Sequence, residues 1–293
     1  MKGVLLTAYG SPSGPDDVER YYTRILGGRK PPSPLLEELM GRYAAIGGVS
    51  PLEEITMRQA AGLKRALEAR GNATEVRVGM KYSPPFIEDA VASMISDGFS
   101  RILVLPLTPF NSSVSADSYL KIARKAASGA GAAVEMPSPW HLNSNFVRCW
   151  EEILEESLTG GEKVIFTAHS IPGKYIEAGE PYREQIAELA DCLAGRMGIA
   201  DSELAFQSAG RTGEGWIGPP LEERLAAIDA GETKNILIAP IGFVSEHLEV
   251  LYDVDIEAVR IASGRGISLR RTALPNDREA FISALADACA LRD

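Results

Sequence analysis

The sequence predicts an α/β fold of two similar halves, each a four-stranded parallel sheet flanked by helices, on three observations. Short β-branched apolar runs alternate with helix-periodic segments along the chain, the pattern of parallel βαβ units with right-handed crossovers. Residues 4–12, V-L-L-T-A-Y-G-S-P, are echoed by residues 164–172, V-I-F-T-A-H-S-I-P. Each is an apolar strand, then Thr-Ala, then one functional-looking side chain, with a proline two or three residues on. A weaker pair is R-I-L-V-L-P-L at 101–107 and N-I-L-I-A-P-I at 235–241. Such a repeat favours two four-stranded halves over an eightfold barrel. The length of 293 residues agrees, since it suits two domains of about 140–150.

In chain order, strands are expected near 3–9, 75–81, 101–107 and 132–136, then near 163–168, 203–207, 235–240 and 267–271. Helical periodicity covers 54–70, 85–97, 115–128 and 143–159 in one half, and 181–197, 219–230, 244–262 and 276–291 in the other. The stretch Pro137-Ser138-Pro139-Trp140 interrupts both patterns. The halves are therefore divided as 1–142 and 143–293, with the last helix able to pack back on the first half. They differ mainly at 27–52, which follows a first helix and has no counterpart in the second half. This insertion lies outside the periodic segments and mixes Gly, Pro and basic residues with Leu35, Leu36, Leu39, Met40 and Ile46. An insertion at one mouth of a cleft shapes a ligand site.

Composition removes several function classes. Hydrophobic residues make up 45% and charged residues 24%, the balance of a globular protein with a sizeable core. Net charge is -10, the opposite of a nucleic-acid binder, so cationic contacts to an anionic ligand have to be local. No apolar run approaches the ~18 residues of a membrane helix, and the N-terminal apolar stretch is too short for a signal peptide. Cys149, Cys192 and Cys289 are far apart and odd in number, which argues against a disulfide framework, a zinc ribbon or an all-cysteine cluster. A reduced cytoplasmic setting is expected. The chain has no P-loop, no dinucleotide fingerprint, no G-x-S-x-G and no H-E-x-x-H.

Ligands of open parallel sheets bind beyond the carboxyl ends of strands, where Tyr9 and His169 occupy matching positions. A strand-end histidine is as readily a hydrogen-bonding partner of a neighbouring loop; the repeat tips the reading towards function. Glu249, Asp253 and Glu257 recur at i, i+4, i+8 and so share nearly one helix face. On an isolated helix that is a solvated acidic face. If the row begins in the cleft, it is a line of hard oxygen ligands able to pass a divalent cation inward. His247 is a helix-surface residue, an orienter of a neighbour or a site residue, with the first two ranked higher. Arg29-Lys30 and Arg42-Tyr43 offer a local cationic lip. Tyr82, Tyr119 and Trp216 fall at carboxyl strand ends and serve equally as packing. His141 is read as structural.

Taken together, the motifs resemble the ferrochelatase family, and within it the soluble bacterial coproporphyrin type. The matching stretches are L-L-T-A-Y-G-S-P (5–12), E-R-Y-Y-T-R-I (19–25), G-R-K-P (28–31), R-Y-A-A-I-G-G-V-S-P-L (42–52), P-F-I-E-D-A-V (85–91), T-A-H-S-I-P (167–172), Q-S-A-G-R-T-G-E-G-W-I-G-P (207–219) and G-F-V-S-E-H-L-E-V-L-Y-D (242–253). The resemblance implies two Rossmann-like, chelatase-type domains clamping a porphyrin, and a lyase that inserts ferrous iron in haem biosynthesis. By resemblance, His169 and Glu249 form the metal-site pair and the catalytic pair, with Asp253 and Glu257 as outer metal steps. Tyr9 approaches from the opposite face. Arg42, Tyr43, Ser50 and Tyr119 match positions that contact the porphyrin or its carboxylates, and Arg29 of the cationic lip is expected to add a further porphyrin contact. Iron is then a substrate, and no prosthetic group, nucleic acid or integral membrane segment is expected; a cytoplasmic monomer is.

The Pro-rich basic lip, Tyr9 where many protoporphyrin enzymes carry Met, and the lack of a cysteine-bearing tail favour coproporphyrin III over protoporphyrin IX. A sirohydrochlorin chelatase or a non-catalytic haem-binding protein are the remaining alternatives. Two departures are apparent. Tyr82 stands where related soluble enzymes often have His, and Leu26 where they often have a basic residue. The second shifts the expected carboxylate binding towards Arg29, Lys30 and Arg42.

Overall fold

The computed structural model describes residues 1–210 and 215–290. Within them lie two four-stranded, all-parallel sheets. The first holds β1 (Lys2–Ala8), β2 (Glu75–Met80), β3 (Arg101–Pro106) and β4 (Ala133–Glu135) in the order β2-β1-β3-β4. The second holds β5 (Lys163–His169), β6 (Ser202–Gln207), β7 (Asn235–Ala239) and β8 (Ser268–Arg271) in the order β6-β5-β7-β8. The two orders are the same, so β1 and β5 are equivalent central strands, as the repeat requires. All eight strands lie within a residue or two of their expected positions.

The helices are α1 (Val18–Ile25), α2 (Ser33–Ala45), α3 (Leu52–Ala69), α4 (Ile87–Ser96), α5 (Ala116–Ala126), α6 (Ser144–Ser157), α7 (Gly173–Glu177), α8 (Tyr182–Met197), α9 (Leu221–Ala227), α10 (Val259–Ser263) and α11 (Glu279–Ala290). A π-helical segment, Val250–Ala258, leads directly into α10. The expected terminal helix 276–291 runs one residue past the described part of the chain, and residues 211–214 of the Q-S-A-G-R-T-G-E-G-W-I-G-P stretch also lie outside it.

Alternation along the strands divides the core. Leu6 and Leu105 of the first sheet and Phe166 and Leu237 of the second face one shared cluster with Phe146, Trp150 and Phe281. Their strand neighbours turn the other way. Leu5 and Val104 enter one outer cluster, and Ile165 and Ile238 enter another. Strands covered on both faces read as continuous apolar runs, and the central strands do. α11 packs on α6 and crosses back to α3, so the C-terminal helix ties the second half to the first. Asn143 caps α6, its side-chain oxygen accepting from the backbone N–H groups of Asn145 and Phe146.

Two expectations need correction. The 27–52 insertion, placed outside the periodic segments by its sequence, contains helix α2. Pro34 sits in the first turn, where the missing N–H costs nothing. Leu36, Leu39, Tyr43 and Ile46 then form a stripe that packs with Val18 and with Leu248 and Tyr252 of the second half. The insertion therefore bridges the halves instead of hanging from one of them. The expected helix 244–262 opens with irregular chain up to His247 and is mostly π in form. Hydrophobic periodicity cannot separate the two helix types over nine residues.

Candidate active site

His169 ends β5, and its carbonyl accepts a hydrogen bond of 3.0 Å from the Tyr182 hydroxyl. Its Nδ1 donates to the Ser170 carbonyl, which directs Nε2 outward. There Nε2 lies 3.4 Å from Glu249 Oε1. The other carboxylate oxygen of Glu249 lies 3.5 Å from His247 Nε2, and His247 Nδ1 donates to the Ser245 carbonyl at 2.9 Å. One carboxylate is thus held between two imidazoles, each oriented by a backbone carbonyl. His247, left with three readings by its sequence context, is a partner of Glu249.

Gly242 makes this convergence possible. Its N–H donates to the Thr167 carbonyl at 3.0 Å. A Cβ at this position would stand 2.4 Å from Ala168 Cβ and 2.6 Å from Ala168 Cα. Only glycine lets the chain leaving β7 pass this close to β5 and deliver Glu249 to His169. Gln207 at the end of β6 braces the same region. It accepts from Thr167 Oγ1 at 2.8 Å and donates to the Glu249 carbonyl at 3.3 Å.

The charge state of the pair follows from this packing. Burial by itself lowers the imidazole pKa. The Glu249 carboxylate, the Ser170 carbonyl and Asp253 outweigh it and raise His169 to about 9. Burial pushes Glu249 up, but His169 and then His247 pull it well below the usual carboxylate range. At neutral pH the resting pair is an imidazolium beside a carboxylate. A histidine titrating near neutrality is therefore not what the fold provides.

Asp253 lies one step along the π-helical segment and is 6% exposed. Arg42 of α2 donates to one of its oxygens and the Ser208 hydroxyl to the other. The Arg42 guanidinium also lies 4.9 Å from the centre of the Tyr252 ring. Burial raises Asp253 to about 6 against the opposing pull of Arg42, with Glu249 and Glu257 adding to the rise. Asp253 is thus an enclosed step of the row, not a solvated one. Arg42 is correspondingly not a free cation for a carboxylate ligand, because a carboxylate of the chain already occupies it.

Across the cleft, Tyr9 follows β1 and remains 40% exposed. Its ring meets that of Tyr82 edge-on, with centroids 4.7 Å apart. Gly10, next in the chain, takes φ +93, and a Cβ there would stand 2.3 Å from Ser83 Oγ. Glycine is what allows the chain to turn at this point. Desolvation, then Tyr82 and Glu249, hold the Tyr9 hydroxyl well above its ordinary pKa. Desolvation followed by Glu249 does the same for Tyr43, and desolvation, Tyr82 and Glu249 for Tyr119. The Glu249 charge thus contributes to the rise at all three tyrosines, which come from the end of β1, from α2 and from α5.

The other candidates are distributed unevenly. Tyr43 and Tyr119 are buried. Ser50 is buried as well, its hydroxyl accepting from Leu52 N–H at the start of α3. Glu257 lies further along the row, partly buried. Arg29 is exposed and donates to the Leu26 carbonyl at 3.2 Å, and Lys30 pairs with Glu19 at 3.1 Å. His141 bonds Glu188 at 2.8 Å, as a structural residue does.

Three participants escaped sequence reasoning. Ser208 and Gln207 are ordinary polar residues at the carboxyl end of β6, which open the quoted 207–219 stretch but are singled out by nothing else in it. Lys81 stands likewise at the carboxyl end of β2. It is half-buried, donates to Ser118 Oγ at 2.9 Å and to the Val114 carbonyl at 3.3 Å, and lies 5.0 Å from the Tyr82 ring centre. Burial lowers its pKa. Among the described residues it has no carboxylate partner.

Two matched halves with a histidine–carboxylate pair at the mouth of one sheet have the architecture of a metal chelatase. The sirohydrochlorin chelatase SirB from Bacillus subtilis subspecies spizizenii in complex with cobalt shares the fold, with a TM-score of 0.61 at 12% identity over 98% of this chain and 93% of that one. The sequence comparisons are more specific. The ferrochelatase family model matches residues 1–292. The coproporphyrin III ferrochelatase of Geobacillus sp. (strain WCH70) is 40% identical, covering 97% of this chain and 95% of that protein. That of Bacillus mycoides (strain KBAB4) is 38% identical with the same coverage of 97% and 95%. The chain belongs to the ferrochelatase family. Among the described residues, no helix is long and apolar enough to cross a membrane.

Proposed function

We propose that this protein inserts ferrous iron into coproporphyrin III, giving coprohaem III in haem biosynthesis. The observation that carries the reading is the His169–Glu249 pair at 3.4 Å at the end of β5. The relatives named for coproporphyrin III support the choice of substrate. We extend the reading to a cytoplasmic, monomeric enzyme. Anaerobic insertion assays with coproporphyrin III and protoporphyrin IX, followed by absorbance, test it. Turnover of the first at a higher kcat/KM is expected; preference for the second reassigns the substrate, and turnover of neither removes the activity.

The chemistry is a metal-for-proton exchange. The free porphyrin carries two N–H protons, and iron replaces both and takes four nitrogens, with no change of oxidation state. A planar ring hides its lone pairs from an approaching cation, so the ring has to bend, and binding at its edges supplies the strain. Clamped between Tyr9 and the His169–Glu249 pair, the ring receives iron on the side of the pair. Iron approaching His169 first expels the imidazolium proton, since only the neutral ring ligates. Once iron has passed to the ring nitrogens, the imidazole, free of the metal, and the carboxylate can accept the two protons that leave the pyrroles.

This order sets the pH dependence. His169 is raised to about 9, so protons compete with iron below that value and the competition fades as pH rises. At saturating porphyrin, kcat/KM for ferrous iron is expected to increase with pH towards 9, by close to tenfold per unit where one proton is displaced. A profile flat or falling between pH 6.5 and 8.5 would contradict this. Asp253→Ala removes the next oxygen ligand of the row. The KM for iron is expected to rise about tenfold, and clearly more than that for porphyrin, which also rises because the Arg42 pair to α2 is lost; equal changes in both would remove the delivery role.

A further inference from the structure

The acidic row runs along the π-helical segment, and that segment is held from behind. In an α-helix each residue turns about 100°, so a four-residue step overshoots a full turn by roughly 40°. In the wider π form the ring closes one residue later, and the same step falls short of a turn. From Glu249 to Glu257, two such steps make a large angular difference. A change of helix form would rotate Glu257, and to a lesser degree Asp253, relative to Glu249. Isolated π turns are rare. Val250–Ala258, rich in Val, Leu and Ile, contains nothing that selects this form over an ordinary helix.

Arg271, the last residue of β8, grips both sides of the row. Its Nε and Nη2 donate to Asp255 Oδ1 and Oδ2 at 2.7 and 2.8 Å. Its Nη1 and Nη2 donate to Glu246 Oε1 and Oε2 at 3.0 and 2.9 Å, and Nη1 also reaches the Thr272 carbonyl at 2.9 Å. The side chain is only 13% exposed. Glu246 precedes Glu249 by three residues, and its N–H donates to Asn276 Oδ1 at 3.0 Å. Asp255 follows Asp253 by two residues, which turns it to the opposite side of the helix: Asp253 is buried and Asp255 exposed. One rigid guanidinium on a sheet strand therefore fixes the rotation and the length of the segment between two carboxylates.

We propose that Arg271 is a positioning residue for iron delivery: with Glu246 and Asp255 it clamps the π-helical segment so that Asp253 and Glu257 keep their present rotation relative to Glu249. The inference rests on the chelatase reading for its kinetic consequence but not for its structural one. Arg271→Lys keeps the charge and loses the double fork. Asp255→Ala opens one arm from the solvent side and leaves the Glu246 arm intact, so it tests the clamp even if the Arg271 variant does not fold.

Two readouts apply to each folded variant: amide hydrogen exchange across 250–258, and the separate KM values for ferrous iron and coproporphyrin III. Exchange is expected to accelerate and the KM for iron to rise, each by about fivefold or more, with the KM for porphyrin within about twofold. Exchange within about twofold of wild type in the Asp255→Ala protein overturns the clamp. Faster exchange with an unchanged KM for iron, or with both KM values raised alike, overturns the positioning role. If the wild-type protein inserts no iron, the functional reading fails separately and the exchange measurement still decides the clamp.

Discussion

His169→Ala is expected to lower kcat for iron insertion by about 10³-fold while porphyrin binding stays within about fivefold of wild type. The imidazole is the only group in the described cleft that both faces the Glu249 carboxylate at 3.4 Å and belongs to the central strand of its sheet. Removing it also takes away the principal charge that holds Glu249 low. Without that partner the pKa of Glu249 moves upward, with His247 still opposing the rise. The variant therefore loses a ligand and weakens a second one. The fold is expected to survive, because the ring is one-third exposed and touches mainly the rim of the site. Fluorescence quenching reads porphyrin affinity, and anaerobic absorbance reads turnover. Full turnover in this variant would refute the assignment, and loss of porphyrin binding in parallel would show that His169 serves the ring and not the metal.

Arg42→Ala is expected to destabilise the protein by about 2–4 kcal/mol at pH 8, and by much less at pH 5. The pair it breaks joins α2 of the insertion to the π-helical segment, 211 residues apart in the chain. The sign follows from Asp253. Its folded pKa of about 6 lies above the ordinary value of 3.8. Its contribution to stability is thus fully present below 3.8 and is lost as pH rises through 6. At pH 8 the carboxylate is ionised, and Arg42 is what makes its burial tolerable. At pH 5 it is largely protonated and the guanidinium has little to neutralise. Urea unfolding at the two pH values measures the difference. An equal loss at both would mean that Arg42 stabilises through its packing on Tyr252 alone. The same substitution frees α2 from the second half, so the KM for porphyrin is expected to rise together with the instability.

The ease of reading the fold and the difficulty of reading the site have one physical origin. Strands buried on both faces advertise themselves as short apolar runs, and their repeat at Tyr9 and His169 exposed the equivalence of the halves before any contact was known. α2 leaves a weak trace in the sequence because Pro31 and Pro32 precede it and Pro34 occupies the one helical turn that tolerates proline. The π-helical segment was missed because the i, i+4, i+8 spacing of Glu249, Asp253 and Glu257 suits both kinds of helix. Partnerships such as Arg42 with Asp253, or Arg271 with Glu246 and Asp255, leave no periodic trace.

The sequence by itself determined the two parallel sheets, the strand-end positions of Tyr9 and His169, and the acidic row, because each depends on neighbours within one element. Only the tertiary structure decided that Glu249 sits between two imidazoles, that Asp253 is enclosed and paired, and that the row runs along a π turn. Those facts depend on chain segments that meet only after folding, where the gain from closing a distant ion pair or passing a glycine against a strand outweighs local preference.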